Sequence, residues 1–145
     1  MKKAFVGLSL AVLSASLAAA QGNAQVTISV GGLRNLKGQV LVCLTANPKI
    51  WPDCSKDPNA QKRSVSAGNA SSIIFSDVAP GTYAVSLVHD ENGNGKLDTR
   101  VMIPKEGFGF SRNPTVTFGP PKFSSSKFSV GADGASQSIK MKYMF

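Results

Sequence analysis

APGTYAVSLVHD, residues 79–90, is the stretch that decides the fold of this chain. Its proline and glycine stand where a tight turn requires them, because proline presets φ and glycine tolerates positive φ. Beyond the turn, Tyr83, Val85 and Leu87 share one face of an extended chain, and the residues between them share the other. This alternation predicts a β-strand that turns one face towards a core.

The same two-residue period continues outward from that strand in both directions. Residues 26–30 alternate apolar and polar side chains, and residues 40–44 are apolar on both faces, which predicts a central strand. Further strands are expected around residues 62–65, 73–75, 123–130 and 138–143, the last two joined by a turn at residues 131–134. The sequence therefore predicts an all-β fold: a single antiparallel β-sandwich of the immunoglobulin or transthyretin type, with about seven strands.

Residues 1–20 have the three zones of a cleavable signal peptide. Lys2 and Lys3 give a basic start, a short apolar run diluted by glycine and serine follows, and residues 18–20 are three alanines suited to a peptidase. The apolar run is too weak for a spanning helix, so no transmembrane segment is expected in the mature chain. We therefore expect one exported domain, residues 21–145, in the periplasm or the extracellular medium.

The charge of the chain is basic but dispersed. Sixteen lysines and arginines oppose eight acidic residues, a formal net charge of +8. The cations are scattered along the chain, which favours a general attraction to anionic surfaces such as lipid head groups. No nucleic-acid recognition motif is present, so nucleic acid is excluded as a partner. We expect a monomer.

Cys43 and Cys54 are the two cysteines of the chain. An even pair in an oxidising compartment predicts a disulfide, worth about 3 kcal/mol on the chain-entropy estimate. The alternative is two small apolar side chains, one of them buried in a strand. The spacing excludes a Cys-x-x-Cys redox site.

The densest polar cluster, HDENGNGKLD at residues 89–98, directly follows the deciding strand. Its pattern D-x-[DN]-x-[DN]-G is the start of a calcium loop, in which alternate oxygens converge on one ion. The twelfth position, where an EF-hand has glutamate, is Val101, and no helix pattern flanks the loop, so an EF-hand is rejected. The candidate Ca²⁺ ligands are Asp90, Asn92, Asn94, Lys96 through its carbonyl, and Asp98.

The same loop has an interpretation without metal. Asn92-Gly93 and Asn94-Gly95 are favoured turn pairs, and short acidic and amide side chains cap their own loops. If calcium binds, Asp98 or a distant carboxylate such as Glu106 completes the shell. Both interpretations stay open at this point.

His89 is the single histidine, which excludes a multi-histidine zinc site. Its parity places it on the core face at the end of the strand, where a hydrogen-bonded histidine at the core margin is expected. The alternative is a small hydrolase-like enzyme that pairs His89 with Glu91 or Glu106 as a general base. Asp90 faces the opposite side of the strand and cannot orient it, so no catalytic residues and no enzyme are expected.

Phe108 and Phe110 lie in a segment interrupted by glycines, which is too flexible for a good strand. They are expected either to cover one end of the sandwich or to form an apolar patch that meets a partner.

These motifs together resemble the bacterial domain-of-unknown-function family 2141. The resemblance is carried by residues 80–85, 89–98, 104–111 and 120–123, and by Leu33-Arg34-Asn35 with Gly38, and it covers nearly all of residues 26–143. It implies exported proteins of Gram-negative bacteria with a β-sandwich fold, and it brings no activity. A looser resemblance to transthyretin-like and adhesin repeat domains, some with an Asp-x-Asn-x-Asn-Gly calcium loop, stays at the level of the fold.

The sequence thus predicts an exported binding or structural module of the cell envelope whose partner is an unidentified envelope protein or polymer. A bound calcium ion would make the loop after the deciding strand rigid and set its surface for that partner. The alternatives are the hydrolase built on His89 and adhesion to anionic envelope polymers through the scattered cations.

Overall fold

The computed structural model describes residues 23–145 and confirms the all-β fold. The predicted signal peptide, residues 1–20, lies outside the described residues. No helix within residues 23–145 is long and apolar enough to cross a membrane. The elements are β1 (Ala24–Gly31), β2 (Gln39–Thr45), β3 (Gln61–Ser66), β4 (Ile73–Val78), β5 (Gly81–Asp90), β6 (Thr99–Arg100), β7 (Ile103–Pro104), β8 (Gly107–Phe110), α1 (Phe123–Ser126), β9 (Phe128–Val130) and β10 (Ala135–Lys140), with single 3₁₀ turns at Cys54–Lys56 and Ala67–Asn69.

Two sheets enclose the core. The first sheet has the order β10-β1-β4, and the second has the order β3-β2-β5-β8, with β9 also paired to β5. Alternate residues of both sheets meet between them, for example Ile28 and Phe75 of the first with Val42 and Leu87 of the second. The deciding strand, β5, lies inside the second sheet, between β2 and β8.

One pairing departs from the predicted antiparallel arrangement: β1 pairs with β10 in parallel, with Val26 opposite Ala135. The turn at residues 131–134 carries the chain from β9, beside β5, to β10, beside β1, so it does not close a hairpin of the sheet. Gly134 is required there. Its φ is +80°, and a Cβ would lie 2.2 Å from the carbonyl oxygen of Gln25.

Residues 123–126 form one helical turn, whereas the sequence predicts a strand over 123–130. Pro120 and Pro121 precede this turn, and neither has an N–H to donate to a ladder. The ring of Phe123 packs edge-on against Trp51, with ring centroids 5.9 Å apart. Only Phe128–Val130 of the expected strand pairs with β5.

The glycine-interrupted segment forms a regular strand, β8, contrary to the expectation. A Cβ on Gly107 would lie 2.4 Å from the ring of Tyr143, and one on Gly109 would lie 2.8 Å from Ile139. The glycines therefore let the C-terminal segment pack closely on one face of β8. Phe108 and Phe110 take the other face, away from the core.

Candidate functional site

The outer face of the second sheet is the floor of a cleft of about 910 Å³. The floor residues alternate along β2, β5 and β8 with residues that face the core. They are Leu41, Cys43, Ser86, Val88, Phe108 and Phe110. Ligand sites commonly have volumes of about 300–1,000 Å³ and mostly apolar linings. The cleft therefore has the size and the lining of a small-molecule site.

One wall of the cleft is the loop between β2 and β3. Cys43 and Cys54 form the predicted disulfide, with their Cα atoms 5.7 Å apart, which holds this loop against β2. The indole N–H of Trp51 donates to the carbonyl of Pro121 over 2.8 Å, and its ring centroid lies 5.7 Å from that of Phe110. This wall is thus held by a covalent bond and by contacts with two other segments.

The opposite wall is the long segment between β5 and β8. Gly95, Lys96 and Leu97 contribute to it from the polar cluster identified in the sequence, and Thr99, Met102 and Pro104 contribute from the residues that follow the cluster. The loop at residues 116–120 continues this wall. The predicted calcium loop therefore forms one side of the cleft.

Asp90 holds the start of this wall. It is fully buried, and its carboxylate accepts hydrogen bonds from the backbone N–H of Asn94 (3.1 Å) and Gly95 (2.8 Å) and from Nε2 of Gln39 (2.7 Å). Buried charge is tolerated where such donors surround it. Asp90 thus acts as the internal cap of the loop.

Asn92, Asn94 and Asp98 meet at one point of the loop. Both amide Nδ2 atoms donate to the Asp98 carboxylate, over 2.7 Å from Asn92 and 2.9 Å from Asn94. The bond from Asn94 and then that from Asn92 lower the pKa of Asp98. The Oδ1 atoms of the two asparagines accept backbone N–H groups of Asn94 (3.2 Å) and Lys96 (3.1 Å).

Glu106 closes the loop from its far end. It is buried, and its two carboxylate oxygens accept the backbone N–H groups of Glu91 and Asp98, each over 3.0 Å. Within residues 23–145, no group of three or more His, Cys, Asp or Glu side chains could hold a metal ion. Of the candidate ligands, the structure brings together the side chains of Asn92, Asn94 and Asp98.

His89 is fully buried on the core face of β5. Its Nε2 lies 2.8 Å from the carbonyl oxygen of Lys37, which can only accept, so Nε2 carries the proton in the neutral ring. Its Nδ1 then accepts from the hydroxyl of Tyr143, also 2.8 Å away. The structure pairs His89 with these two groups and not with Glu91 or Glu106, so the hydrolase alternative stays a prediction without a base–carboxylate pair.

Arg34 and Glu91 form an ion pair that joins three distant segments. Arg34 donates from Nε (2.9 Å) and Nη2 (2.6 Å) to the two carboxylate oxygens, and Asn35 adds a third bond of 2.6 Å. The Arg34 guanidinium and then Asn35 lower the pKa of Glu91 to about 2, against the opposing effect of burial. Arg34 also donates to the carbonyl of Phe145 over 2.8 Å and lies 4.5 Å from the Tyr143 ring centroid.

The charged groups at the cleft are mainly cationic. Lys62 and Lys96 line it, are exposed, and are not among the salt-bridged residues of 23–145, where the one pair is Arg34–Glu91. Asp53 also lines it, but its carboxylate accepts the backbone N–H and the hydroxyl of Ser55, which lowers its pKa. Lys62 and Lys96 are therefore the two ammonium groups that line the cleft.

A family model described as "Uncharacterized protein conserved in bacteria (DUF2141)" matches residues 28–139. The match runs from the middle of β1 to the penultimate residue of β10 and includes the floor and both walls of the cleft. No curated protein and no solved structure matches the chain.

Proposed function

Since the chain belongs to the uncharacterised bacterial family DUF2141, we propose that it is an exported binding module of the cell envelope. Its cleft takes a small molecule that has an apolar chain and an anionic head group. The single observation that carries this proposal is the apolar floor on the outer face of the second sheet. A sandwich of this kind already has its core between the sheets, so the second apolar face has no part in that core.

The apolar side chains on the floor of the cleft support a ligand with an apolar chain. Val88 is paired with Leu41 on one side and with Phe108 on the other, so three apolar side chains run across three strands. Burying each methylene of a ligand on such a surface is worth about 0.8 kcal/mol. A chain of about ten methylenes would therefore bind with useful affinity after the cost of association.

The lysines that line the cleft support a ligand with an anionic head group. Lys62 lies on β3 opposite Cys43, and Lys96 lies on the facing wall. A carboxylate or phosphate beside either lysine gains attraction from its ammonium group, whereas a cationic head group would be repelled.

Titration with three ligands of equal chain length tests the proposal, with Trp51 as the reporter. Trp51 is the single tryptophan and touches Phe110 on the floor. We expect dodecanoate to bind most tightly, dodecanol less so, and dodecyltrimethylammonium at least about tenfold more weakly than dodecanoate. Lys62→Gln and Lys96→Gln should weaken dodecanoate and leave dodecanol unchanged.

A matched pair of variants separates the floor from general surface effects. Val88→Gln places an amide on the floor, and Ile74→Gln places the same group on the outer face of β4 in the other sheet. We expect loss of dodecanoate binding only for Val88→Gln, with both variants folded by circular dichroism. Absence of dodecanoate binding to the wild type, or equal effects of the two variants, would overturn the proposal.

A calcium ion at the loop is a second proposal, supported by the convergence of Asn92, Asn94 and Asp98. Rotation of both amides about χ2 would turn their oxygens towards the Asp98 carboxylate and form a partial oxygen shell. In that role the ion would make the cleft wall rigid. Thermal unfolding in EDTA and then in about 1–10 mM Ca²⁺, with Mg²⁺ as control, tests it. A calcium-specific rise that Asp98→Asn removes would support the site, and no rise would contradict it.

A further inference from the structure

Two loops that border the cleft carry exposed apolar tips. Val101 and Met102 are 88% and 94% exposed at the turn between β6 and β7, and Phe118 is 98% exposed. Met102 lines the cleft, and so do both neighbours of Phe118, Thr117 and Gly119. The apolar tips therefore stand beside the cleft.

The backbone at the first tip has a conformation that is unfavourable for valine and methionine. Val101 and Met102 have φ values of +49° and +64°, and they are the two residues between the paired Arg100 and Ile103. A two-residue hairpin with both φ values positive favours Asn-Gly, and a β-branched residue there is strained. Neither side chain is packed against the rest of the domain, so stability of the fold does not explain why apolar residues occupy these two positions. Strain of this kind is a reason to look for a function of the exposed side chains.

Exposed cations flank both tips. Residues 99–105 and 114–122 contain Arg100, Lys105 and Lys122, all exposed. The two carboxylates that border the first range, Asp98 and Glu106, accept hydrogen bonds from the Asn92 and Asn94 amides and from backbone N–H groups of the loop. Apolar side chains next to exposed lysine and arginine are the pattern of surfaces that lie in the interface of an anionic bilayer.

We propose that these tips dock on an anionic lipid bilayer, so that the cleft opens beside the lipid surface. The tips are a few side chains on separate loops, whereas a stable protein interface buries about 1,200–2,000 Å². Insertion into a bilayer requires only that the tips reach the apolar layer. Docking needs no ligand in the cleft, and cleft binding needs no lipid, so each can fail alone.

Flotation with vesicles of phosphatidylglycerol and, separately, phosphatidylcholine tests docking. The protein is purified from cells that express the full chain, and its N-terminus is determined by mass spectrometry. We expect binding to phosphatidylglycerol, weaker binding to phosphatidylcholine, and a severalfold loss between about 0.1 and 0.5 M salt. Phe118→Ser should lower the partition coefficient about tenfold, because one large apolar side chain no longer inserts. The control Ile74→Thr changes an exposed isoleucine of the other sheet and should leave partition within about twofold of wild type.

Val101→Asn distinguishes docking from a structural role of the turn. Asparagine tolerates positive φ better than valine, so this variant should unfold at a higher temperature and yet bind vesicles more weakly. A structural role of Val101 would lower the unfolding temperature instead.

Three results would overturn the proposal. The first is a wild type that does not float with phosphatidylglycerol. The second is flotation of Phe118→Ser and Val101→Asn at the wild-type level. The third is a dimer, seen by sedimentation, that the tip variants abolish while vesicle binding is absent; this would assign the tips to a second copy of the chain.

Discussion

Replacing Glu91 by glutamine should destabilise the domain in a way that depends on pH. Arg34 holds the pKa of Glu91 at about 2, against an ordinary value of 4.5. At about 1.4 kcal/mol per pKa unit, the full shift corresponds to roughly 3 kcal/mol. The side chain of Arg34 is 37% exposed, so solvent screening reduces this to about 1–2 kcal/mol. For a domain of this size the expected fall in unfolding temperature at pH 7 is about 5–10 °C.

The sign of the pH dependence follows from the direction of the shift. A carboxyl whose folded pKa is lowered contributes stability above its unfolded pKa and loses it as the pH falls through the folded pKa. The difference in unfolding temperature between wild type and Glu91→Gln should therefore be constant above a pH of about 5 and shrink towards pH 2. Using the difference cancels the titration of the other carboxyls.

Thermal unfolding of wild type, Glu91→Gln, Arg34→Met and the double variant measures the pair directly. We expect a coupling free energy of about 1 kcal/mol, and a larger effect for Arg34→Met, since Arg34 also donates to the carbonyls of Phe145 and Lys105. Additive single effects, or a difference that persists unchanged at low pH, would show that the ion pair does not hold these segments together.

Two further outcomes are expected. Reduction of the Cys43–Cys54 disulfide should lower the free energy of unfolding by about 2–4 kcal/mol and weaken dodecanoate binding, since the bond holds one cleft wall. Thermal unfolding and dodecanoate titration with and without dithiothreitol measure the two effects. An unchanged affinity would contradict the assignment of this loop to the cleft wall. Gly107→Ala should lower the free energy of unfolding by at least about 2 kcal/mol, because its Cβ would lie 2.4 Å from the Tyr143 ring. Gly68→Ala is the control, since no atom lies within 4 Å of the Cβ position there. Equal stability of the two variants in denaturant unfolding would contradict the close packing at Gly107.

The predictable part of the fold is the part that local periodicity determines. The alternation in β5 predicted a strand that turns one face to the core, and the two apolar faces of β2 predicted a central strand. Both strands lie inside the second sheet. β8 could not be predicted in this way, because its glycines are required by the ring of Tyr143 and by Ile139, which are distant in sequence. Glycine in a strand indicates flexibility or a close approach, and the sequence alone does not distinguish them.

In the candidate site too, local sequence patterns predicted some features, whereas others depend on residues that are distant in sequence. The spacing of Asn92, Asn94 and Asp98 predicted either a calcium loop or a self-capped loop, and in the structure both asparagine Nδ2 atoms donate to the Asp98 carboxylate. The outer apolar face of β2 was visible in the sequence, but its neighbours in the cleft arrive from loops far along the chain. Arg34 and Glu91 are 57 positions apart, and no local pattern connects two such residues.

The end of β5 connects the polar network to the cleft wall through two neighbouring residues, His89 and Asp90. Neighbouring residues in a strand face opposite ways. His89 therefore turns to the core and binds Tyr143 of the C-terminal segment, while Asp90 turns outward and caps the cleft wall. Gly38 lies against the backbone at this point, since a Cβ there would be 2.1 Å from the carbonyl oxygen of Asp90. The strand end, the C-terminal segment and the wall are thus held at one place, which is the rigid support that a binding site between loops requires.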